Sequence, residues 1–404
     1  MHIVMFGDQH VETLGGAQVS MRLQRDFLER AGHTVTIVAP RMQVADRPSG
    51  NGDPVYVDTP SIPITPDREY SLSWPGTRTD RFVDAALEAR PPVDVVHVQA
   101  DFWGAFTGHR FARRHGLPTV HTMHNRVDVG IAATAPFPGL VLRALNGWRR
   151  RALPLSEARP LGHDGWAYLQ GLAAFADAVT APSSHFASRL EAHGVFPHVD
   201  VIWNGIDDDV LDAALAADTA VRAPGRPRFV WLGRMSPEKR LLPFLEAVAE
   251  SRIRADVEVI GGGGQEGAAR RLVERLRPEA SIDFTGRLPY AETLRRIAAA
   301  DAVVQTSIGF ETQGMTVFEA ASLGTPAIVC DPDIGQELGS GYWPVGDDII
   351  PDATTHALAH TLRRAVAEIA AGTGPRPDPA IAERFRQSSR TAAMVEIYRR
   401  VSGA

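Results

Sequence analysis

The chain has 404 residues, of which 44% are hydrophobic and 22% charged, so two globular domains of roughly 150 to 200 residues each are predicted. Its net charge of -6 excludes a globally basic surface of the kind that binds nucleic acid. Cys330 is the only cysteine, which excludes an intramolecular disulfide and a metal site built from several thiolates.

The N-terminus and the longest uncharged run indicate in which cellular compartment the protein is expected. Residues 1–7 lack the basic region and long apolar run of a signal peptide. The uncharged run 129–142 contains two prolines and is shorter than the about 20 apolar residues that a membrane-spanning helix needs. The sequence therefore predicts a cytoplasmic protein without a transmembrane segment.

Apolar strands and helical patterns alternate along the first half of the chain. Residues 2–6 form the first predicted strand, and a loop with Gly15 and Gly16 leads into a helix over 17–31. The other predicted strands cover residues 34–38, 93–98, 118–122, 178–180 and 199–202. This pattern predicts a parallel sheet in an N-terminal domain over residues 1–205.

The same alternation starts again after a linker predicted at 213–227, which places the second domain at 206–380. Predicted strands cover residues 228–232, 257–260, 282–284, 302–305 and 326–330, with helices at 241–250, 266–276, 290–300 and 316–323. The fold class is therefore α/β, with two doubly wound, Rossmann-like domains.

Five motifs occur in one order along the chain, and together they carry a family resemblance. They are Gly15-Gly16, His124 after a strand, Asn204-Gly205, Gly233-Arg234 with Lys239, and Glu311 to Glu319. The last resembles the E-x7-E signature of the retaining glycosyltransferases of family 4, and the resemblance covers nearly the whole chain.

This resemblance implies the GT-B fold, in which two Rossmann-like domains face a central cleft. It also implies that a C-terminal helix, predicted within residues 381–404, packs back on the N-terminal domain. The implied substrates are a UDP-, GDP- or ADP-sugar donor and a hydroxyl acceptor, without a metal or other cofactor.

The expected donor site must hold the negative charge that grows on the diphosphate leaving group. The resemblance assigns Arg234 and Lys239 to the diphosphate, in place of a divalent metal. Taken alone, the two cations would be a solvated basic loop. Further donor contacts are expected from Asn204, Gly233, Gly314, Met315 and Thr316, the last three through the backbone at a helix start. Residues 261–264 are expected to approach the nucleoside, with a flexible turn as the alternative.

Two carboxylates have separate implied roles. Glu319 resembles the residue that accepts hydrogen bonds from the ribose hydroxyls. Glu311 resembles the one that binds the sugar and steadies an oxocarbenium-like transition state. Retention of configuration follows from the resemblance, and no covalent nucleophile is identified.

In the N-terminal domain, His124 is expected to hydrogen-bond the donor sugar or phosphate. His121, three residues earlier, is the rival and lies on the opposite face of the strand. Gly15 and Gly16 are expected near the donor phosphate, although turn geometry alone also explains a Gly-Gly pair. The acceptor is expected to contact Asp8 and His10.

A basic segment covers residues 137–160, with five arginines (143, 149, 150, 151 and 159) against one acid, Glu157. Leucines and Trp148 lie between them. Such a segment suits an anionic membrane, where some family members glycosylate lipids, and it favours a peripheral protein on the inner face of the plasma membrane. The alternative is a solvated helix that covers the domain core.

Three other functions fit the same architecture less well. A dehydrogenase is disfavoured because the first loop lacks G-x-G-x-x-G spacing and no acid ends the second strand. An epimerase or hydrolase of nucleotide sugars is the nearer alternative. A non-catalytic nucleotide-sugar sensor is disfavoured by the full set of donor residues.

Overall fold

The computed structural model describes residues 1–13, 16–43, 53–65, 68–154, 162–216, 225–346 and 353–403. The chain divides into two compact units. The first comprises Met1–Gly205 with Gln387–Ala404, and the second comprises Ile206–Arg386. Each contains one extended sheet whose strands all run parallel, which matches the predicted α/β class.

The first unit is built on a seven-stranded sheet in the order β3-β2-β1-β6-β7-β8-β9. Its strands are β1 His2–Gly7, β2 Thr34–Pro40, β3 Tyr56–Thr59, β6 Val95–Gln99, β7 Thr119–Thr122, β8 Ala178–Ala181 and β9 Val199–Val201. A separate antiparallel hairpin pairs β4 Ile62–Pro63 with β5 Ser71–Leu72. Its helices are α1 Gly16–Arg30, α2 Thr77–Glu88, α3 Trp103–His115, α4 Val127–Thr134, α5 Pro138–Ala152, α6 Gly165–Ala173, α7 Ser184–Ala192 and α16 Gln387–Ser402.

Both faces of this sheet are buried, because alternate residues of each strand enter different cores. Ile3 and Met5 of β1 pack with α1 and α16. Val4 and Phe6 pack on the other face with α2 and α3. Because these strands are buried on both faces, their sequences are continuous apolar runs. Those runs are the pattern that predicted the strands.

The second unit is built on a six-stranded sheet in the order β12-β11-β10-β13-β14-β15. Its strands are β10 Arg228–Arg234, β11 Asp256–Gly262, β12 Ser281–Gly286, β13 Ala302–Gln305, β14 Ala327–Val329 and β15 Tyr342–Pro344. Its helices are α8 Asp208–Ala216, α9 Leu241–Ser251, α10 Glu266–Leu276, α11 Tyr290–Ala298, α12 Met315–Ser322, α13 Pro332–Leu338, α14 Thr355–Ala371 and α15 Ala380–Phe385. The predicted linker overlaps α8 at residues 213–216, and its residues 217–224 lie outside the described part of the chain.

The C-terminal segment 381–404, predicted to contain a helix that packs on the N-terminal domain, is divided between the two units. Residues 381–386 belong to the second unit, where Phe385 is buried and stacks on Phe318 of α12. Arg386 has an extended ψ of 140°, which ends α15, and its guanidinium pairs with Asp208 and Asp212 of α8. Only α16, from Gln387 onward, packs on the first unit.

A buried polar network fixes α16 to the first sheet. The hydroxyl of Tyr398 lies 2.6 Å from Nδ1 of His97 on β6, and Gln24 of α1 donates to the same hydroxyl at 3.1 Å. Nε2 of His97 lies 2.7 Å from Oγ1 of Thr122 on β7. Each partner is buried, so the network satisfies polar groups that would otherwise destabilise this core.

Candidate functional site

A lysine and a glutamate meet at the carboxyl edge of the second sheet. Lys239 ends the short 3-10 turn Pro237–Lys239 after β10, and its Nζ donates a hydrogen bond to Oε1 of Glu311. Ser307, two residues after β13, donates to the same oxygen at 2.9 Å. The side chains of Lys239 and Glu311 are 24% and 17% exposed, so a ligand can reach a pair that is largely shielded from water. Lys239 is also the only lysine in the chain.

The backbone of Lys239 is held from β13. Oγ1 of Thr306 donates to the carbonyl oxygen of Lys239 at 2.6 Å, and Nε1 of Trp231 donates to Oγ1 of Thr306 at 2.9 Å. Trp231 lies in the core of the second unit. The loop that carries the lysine is therefore anchored by a side chain of β10 and by the residue that directly follows β13.

The other predicted cation, Arg234, ends β10 and is more exposed. Its guanidinium lies 3.8 Å from Oε1 of Glu238, and its side chain is 67% exposed. The structure therefore brings Lys239 and Glu311 into contact, while Arg234 pairs within its own loop. A long exposed arginine keeps the freedom to turn toward an anion.

Close packing against the backbone at the end of β10 explains why glycines follow β11. Gly261 has a φ of +130°, and a Cβ there would lie 2.0 Å from the carbonyl oxygen of Gly233. Gly263 has a φ of +155°, and its Cβ would lie 2.7 Å from the carbonyl oxygen of Met235. The backbone that these glycines approach is the end of β10, so the nucleoside contact expected for residues 261–264 is not needed to explain them.

The predicted phosphate-binding helix start is α12. Gly314 precedes it with a left-handed φ of +78°, and a Cβ there would lie 2.9 Å from Cδ1 of Ile334. Met315 and Thr316 form its first turn and are half-buried. Glycine is therefore required for the turn that brings Glu311 to the start of the helix.

Glu319 lies one turn into α12 and is buried. Oη of Tyr290, the first residue of α11, donates to its Oε1 at 2.8 Å. Burial raises the pKa of Glu319, and the hydrogen bond from Tyr290 acts in the opposite direction. Sequence reasoning missed Tyr290, although an aromatic residue at the start of a predicted helix that follows a strand was a signal for it.

In the first unit, Asp8 has a structural role that competes with the expected acceptor contact. Its carboxylate accepts backbone N–H bonds from Asp101 and Gly104 at 2.8 Å and from Phe102 at 3.1 Å, which caps the start of α3. Burial, and next the charge of Asp101, raise the pKa of Asp8 to about 7. A Cβ at Gly104 would lie 2.4 Å from the carbonyl oxygen of Gly7, so α3 starts directly against β1.

His124 and its rival His121 have different environments. His121 is fully buried, with Nε2 2.8 Å from the carbonyl oxygen of Ala100 and Nδ1 3.1 Å from Nε2 of His109. His124 is half-buried just beyond β7, and its backbone N–H donates to Asp101 at 3.2 Å. Burial lowers the pKa of His124, which favours a neutral ring. His121 is a core residue, and His124 remains the predicted ligand contact.

Of the other predicted residues of the first unit, two belong to or contact α1, His10 contacts β3, and one lies outside the described residues. Gly16 begins α1, and a Cβ there would meet nothing within 4 Å. Oδ1 of Asn204 accepts from Oγ of Ser20 at 2.7 Å, so Asn204 contacts α1. His10 is buried with Nε2 3.2 Å from Oδ1 of Asp58, a packing role that competes with acceptor binding. Gly15 lies outside the described residues.

The basic segment forms α5, but one of its arginines is not on the surface. Arg149 is fully buried, and a Cβ at Gly171 of α6 would lie 2.3 Å from its Cζ. Trp148 packs edge-on against Phe106. Arg143, Arg150 and Arg151 remain exposed, whereas residues 155–160, which include Glu157 and Arg159, lie outside the described residues.

Replacing Asp8 with asparagine is expected to flatten the pH dependence of stability between about pH 4 and 7. The pKa of about 7 in the folded protein exceeds the ordinary 3.8, so the stabilising contribution is present below about pH 4 and is lost as the pH rises to 7. Urea unfolding at several pH values measures this. The difference in unfolding free energy between wild type and Asp8→Asn should change by up to about 1.4 kcal/mol per pH unit. A difference that is constant across this range would contradict the assignment.

Comparisons with known proteins place both halves of the chain. The family model "Glycosyltransferase Family 4" matches residues 14–210, and the model "Glycosyl transferases group 1" matches residues 191–338. A GDP-mannose-dependent alpha-mannosyltransferase of Mycolicibacterium smegmatis is 26% identical over 91% of this chain and 91% of its own. The alpha-monoglucosyldiacylglycerol synthase of Streptococcus pneumoniae is 24% identical over 81% of this chain and 70% of its own.

Solved structures share the fold. Sucrose-phosphate synthase from Thermosynechococcus elongatus matches with a TM-score of 0.69 at 18% identity, over 100% of this chain and 99% of its own. Anabaena HepE in complex with UDP and glucose matches with a TM-score of 0.63 at 17% identity, over 98% and 99%. Among the residues that the structure describes, no helix is both long and apolar enough to cross a bilayer.

The two family models, the curated relatives and the two parallel sheets all indicate the same family and fold. The chain belongs to glycosyltransferase family 4 and is a glycosyltransferase of the GT-B fold that uses nucleotide sugars.

Proposed function

We propose that the protein is a retaining, metal-independent hexosyltransferase. It moves a hexose from UDP-glucose or GDP-mannose to a hydroxyl of a lipid or lipid-linked glycan at the inner face of the plasma membrane. The observation that carries the proposal is the contact between Lys239 and Glu311 at a sheet edge that also presents the start of α12.

The donor half of the proposal uses the charges of the second unit. Lys239 and Arg234 stabilise the diphosphate as its negative charge grows, and the first N–H groups of α12 add hydrogen bonds. Glu311, held by Lys239 and Ser307, accepts from the sugar hydroxyls and stabilises positive charge on the ring. Glu319 accepts from the ribose hydroxyls.

The chemical step needs no protein nucleophile in this proposal. The acceptor hydroxyl attacks C1 on the face from which the diphosphate leaves, and its proton passes to the departing phosphate oxygen. The new C1–O bond therefore forms with retention. The protein contributes by positioning and by electrostatic stabilisation, which alone can supply a large share of a rate enhancement.

The donors are proposed from the relatives. The mannosyltransferase of Mycolicibacterium smegmatis is named for GDP-mannose, and the Streptococcus enzyme is named for a glucosyl product. The structure of Anabaena HepE contains UDP and glucose. Two hexose donors with different bases therefore have to be tested against each other.

The lipid acceptor is supported by the exposed face of α5. Leu140 and the preceding Phe137 are two-thirds exposed, and Arg143, Arg150 and Arg151 follow on the exposed surface. The sequence of α5 contains no acidic residue, although the chain as a whole is negative. Exposed apolar side chains beside arginines fit the interface of an anionic membrane.

The β4–β5 hairpin extends this surface. Ile62 and Ile64 are exposed on it, and Trp74, just after it, is 66% exposed. The ring of Trp74 lies 5.3 Å from that of Trp148, so the hairpin exit contacts α5. The backbone N–H of Ser71 donates to Gln9 at 2.8 Å, which ties the hairpin to the loop between β1 and α1. Trp74, rather than the packed Trp148, is therefore the aromatic residue available to a membrane.

A bound donor is expected to protect Lys239 from amine-reactive reagents. Since Lys239 is the only lysine, acetic anhydride can acylate only two amines, its Nζ and the N-terminus. Mass spectrometry of the two peptides, with and without UDP-glucose or GDP-mannose, measures the rates. The rate at Lys239 should fall several-fold with the preferred donor. The N-terminal amine is the internal control and should react unchanged, and equal rates at Lys239 with and without donors would contradict the site.

Transfer to a lipid acceptor tests the reaction itself. Each donor is incubated with diacylglycerol or phosphatidylinositol, and the glycolipid, free hexose and epimerised donor are quantified. We expect an α-linked glycolipid that forms equally well in EDTA. Glu311→Gln should lower kcat by about 10- to 100-fold, with a smaller effect on KM, because the carboxylate acts mainly in the transition state. Free hexose or epimer as the main product would favour the hydrolase or epimerase alternative.

Membrane binding should depend on the exposed arginines of α5. The variant R143Q/R150Q/R151Q is expected to bind phosphatidylglycerol vesicles about 100-fold more weakly, at about 1 kcal/mol per cation. Vesicle co-sedimentation at fixed ionic strength measures this. The matched control, R270Q/R271Q/R275Q, removes three exposed arginines from α10 and should bind as the wild type does. Equal losses in both variants would contradict a specific role for α5.

A further inference from the structure

Tyr290 occupies a distinctive place in the second unit. It begins α11, four residues after β12 ends at Gly286, and therefore lies at the carboxyl edge of the sheet. In open parallel sheets this edge is where ligands bind. α11 packs against α12, the helix that carries Glu319.

The hydroxyl and the ring of Tyr290 face different surroundings. The hydroxyl donates to Oε1 of Glu319 at 2.8 Å, and burial with the nearby carboxylate of Glu319 raises the pKa of Tyr290. The residue as a whole is nevertheless 38% exposed. Because the hydroxyl end is buried, this exposure belongs mainly to the aromatic ring. An exposed ring fixed in place by its own hydroxyl is a rigid apolar platform.

One carboxylate oxygen of Glu319 can accept hydrogen bonds from a ligand. Within the described part of the chain, Tyr290 is the side chain that donates to it, and it does so at Oε1. Oε2 is therefore left as an acceptor for a ligand. A ribose bound there through its hydroxyls carries its base only a few bonds away, within reach of the ring whose hydroxyl holds the other oxygen.

We infer that Tyr290 forms the nucleobase subsite of the donor, with its ring stacking on the base and its hydroxyl orienting Glu319 toward the ribose. The inference rests on the ribose contact of Glu319 in the proposed function. Stacking is tolerant of base identity, since every base offers a π-face. The subsite therefore accepts uracil or guanine, and discrimination between them has to come from other contacts.

Two substitutions separate the stacking role of the Tyr290 ring from the orienting role of its hydroxyl. Tyr290→Phe keeps the ring and removes the hydroxyl, whereas Tyr290→Leu keeps apolar bulk and removes the aromatic face. Tyr342→Phe, which removes a hydroxyl on β15 at the opposite edge of the same sheet, is the matched control. Thermal unfolding of each variant establishes that it folds.

Isothermal titration calorimetry with UDP, GDP, 2′-deoxy-UDP and inorganic pyrophosphate supplies the readouts. Tyr290→Leu should weaken UDP and GDP binding by about 5- to 100-fold, while pyrophosphate binding stays unchanged. Tyr290→Phe should bind 2′-deoxy-UDP nearly as the wild type does but lose much of the preference for UDP over 2′-deoxy-UDP. A merely structural tyrosine would not change that ratio. Tyr342→Phe should behave as the wild type.

Three outcomes overturn the inference. Affinities of Tyr290→Leu for UDP and GDP within twofold of the wild-type values would exclude stacking. An equal loss of pyrophosphate binding, or a Tyr290→Phe variant that keeps the full preference for the ribonucleotide, would exclude a role specific to the nucleoside. Failure of the unaltered protein to bind any of the nucleotides would instead overturn the proposed function, and the inference with it.

Discussion

The second unit depends on one constraint, the meeting of strand ends at a single edge of a parallel sheet. Lys239 and Glu311 are 72 residues apart in sequence, yet they touch because β10 and β13 are neighbours whose carboxyl ends coincide. Trp231 within β10 and Thr306, directly after β13, reinforce the same juxtaposition. The ion pair therefore exists because of the topology, and it places a compact ammonium beside a carboxylate at the sheet edge where we propose that the donor binds. A chain that uses arginine for every other basic side chain except histidine keeps its one lysine at this point.

The first unit uses its strand ends differently. Asp8 after β1 caps α3, Asp101 after β6 accepts from the backbone of His124, and His121 fills the core below. These buried hydrogen bonds fix the loops on which a reaction centre would depend. They also engage side chains whose loop positions in the sequence suggested that they could bind a ligand. Most of the large apolar side chains that are exposed among the described residues of this unit lie on or beside α5 and the β4–β5 hairpin, and the two regions meet through Trp74 and Trp148.

Much of the fold could be predicted from the sequence, because strands buried on both faces read as continuous apolar runs and the helices between them show a 3.6-residue period. The division of the C-terminal segment between the two units could not be predicted. It depends on the contact of Phe385 with Phe318 and on the ion pairs of Arg386 with two distant aspartates. The capping role of Asp8 could not be predicted either, because a loop carboxylate gives no sign of which N–H groups it will meet some 93 residues later. The burial of Arg149 could have been predicted, because Leu142, Leu145 and Leu153 place it on the apolar face of its helix.

The central claim is that the diphosphate of a nucleotide sugar binds between Lys239, Arg234 and the first turn of α12. The most direct measurement is a crystal structure of the protein with an intact nucleotide sugar or its nucleoside diphosphate. We expect phosphate oxygens within hydrogen-bond distance of Lys239 Nζ and of the N–H groups at the start of α12, with the ribose hydroxyls on Glu319. A nucleotide bound with its phosphates elsewhere, and with the Lys239–Glu311 pair untouched, would contradict it.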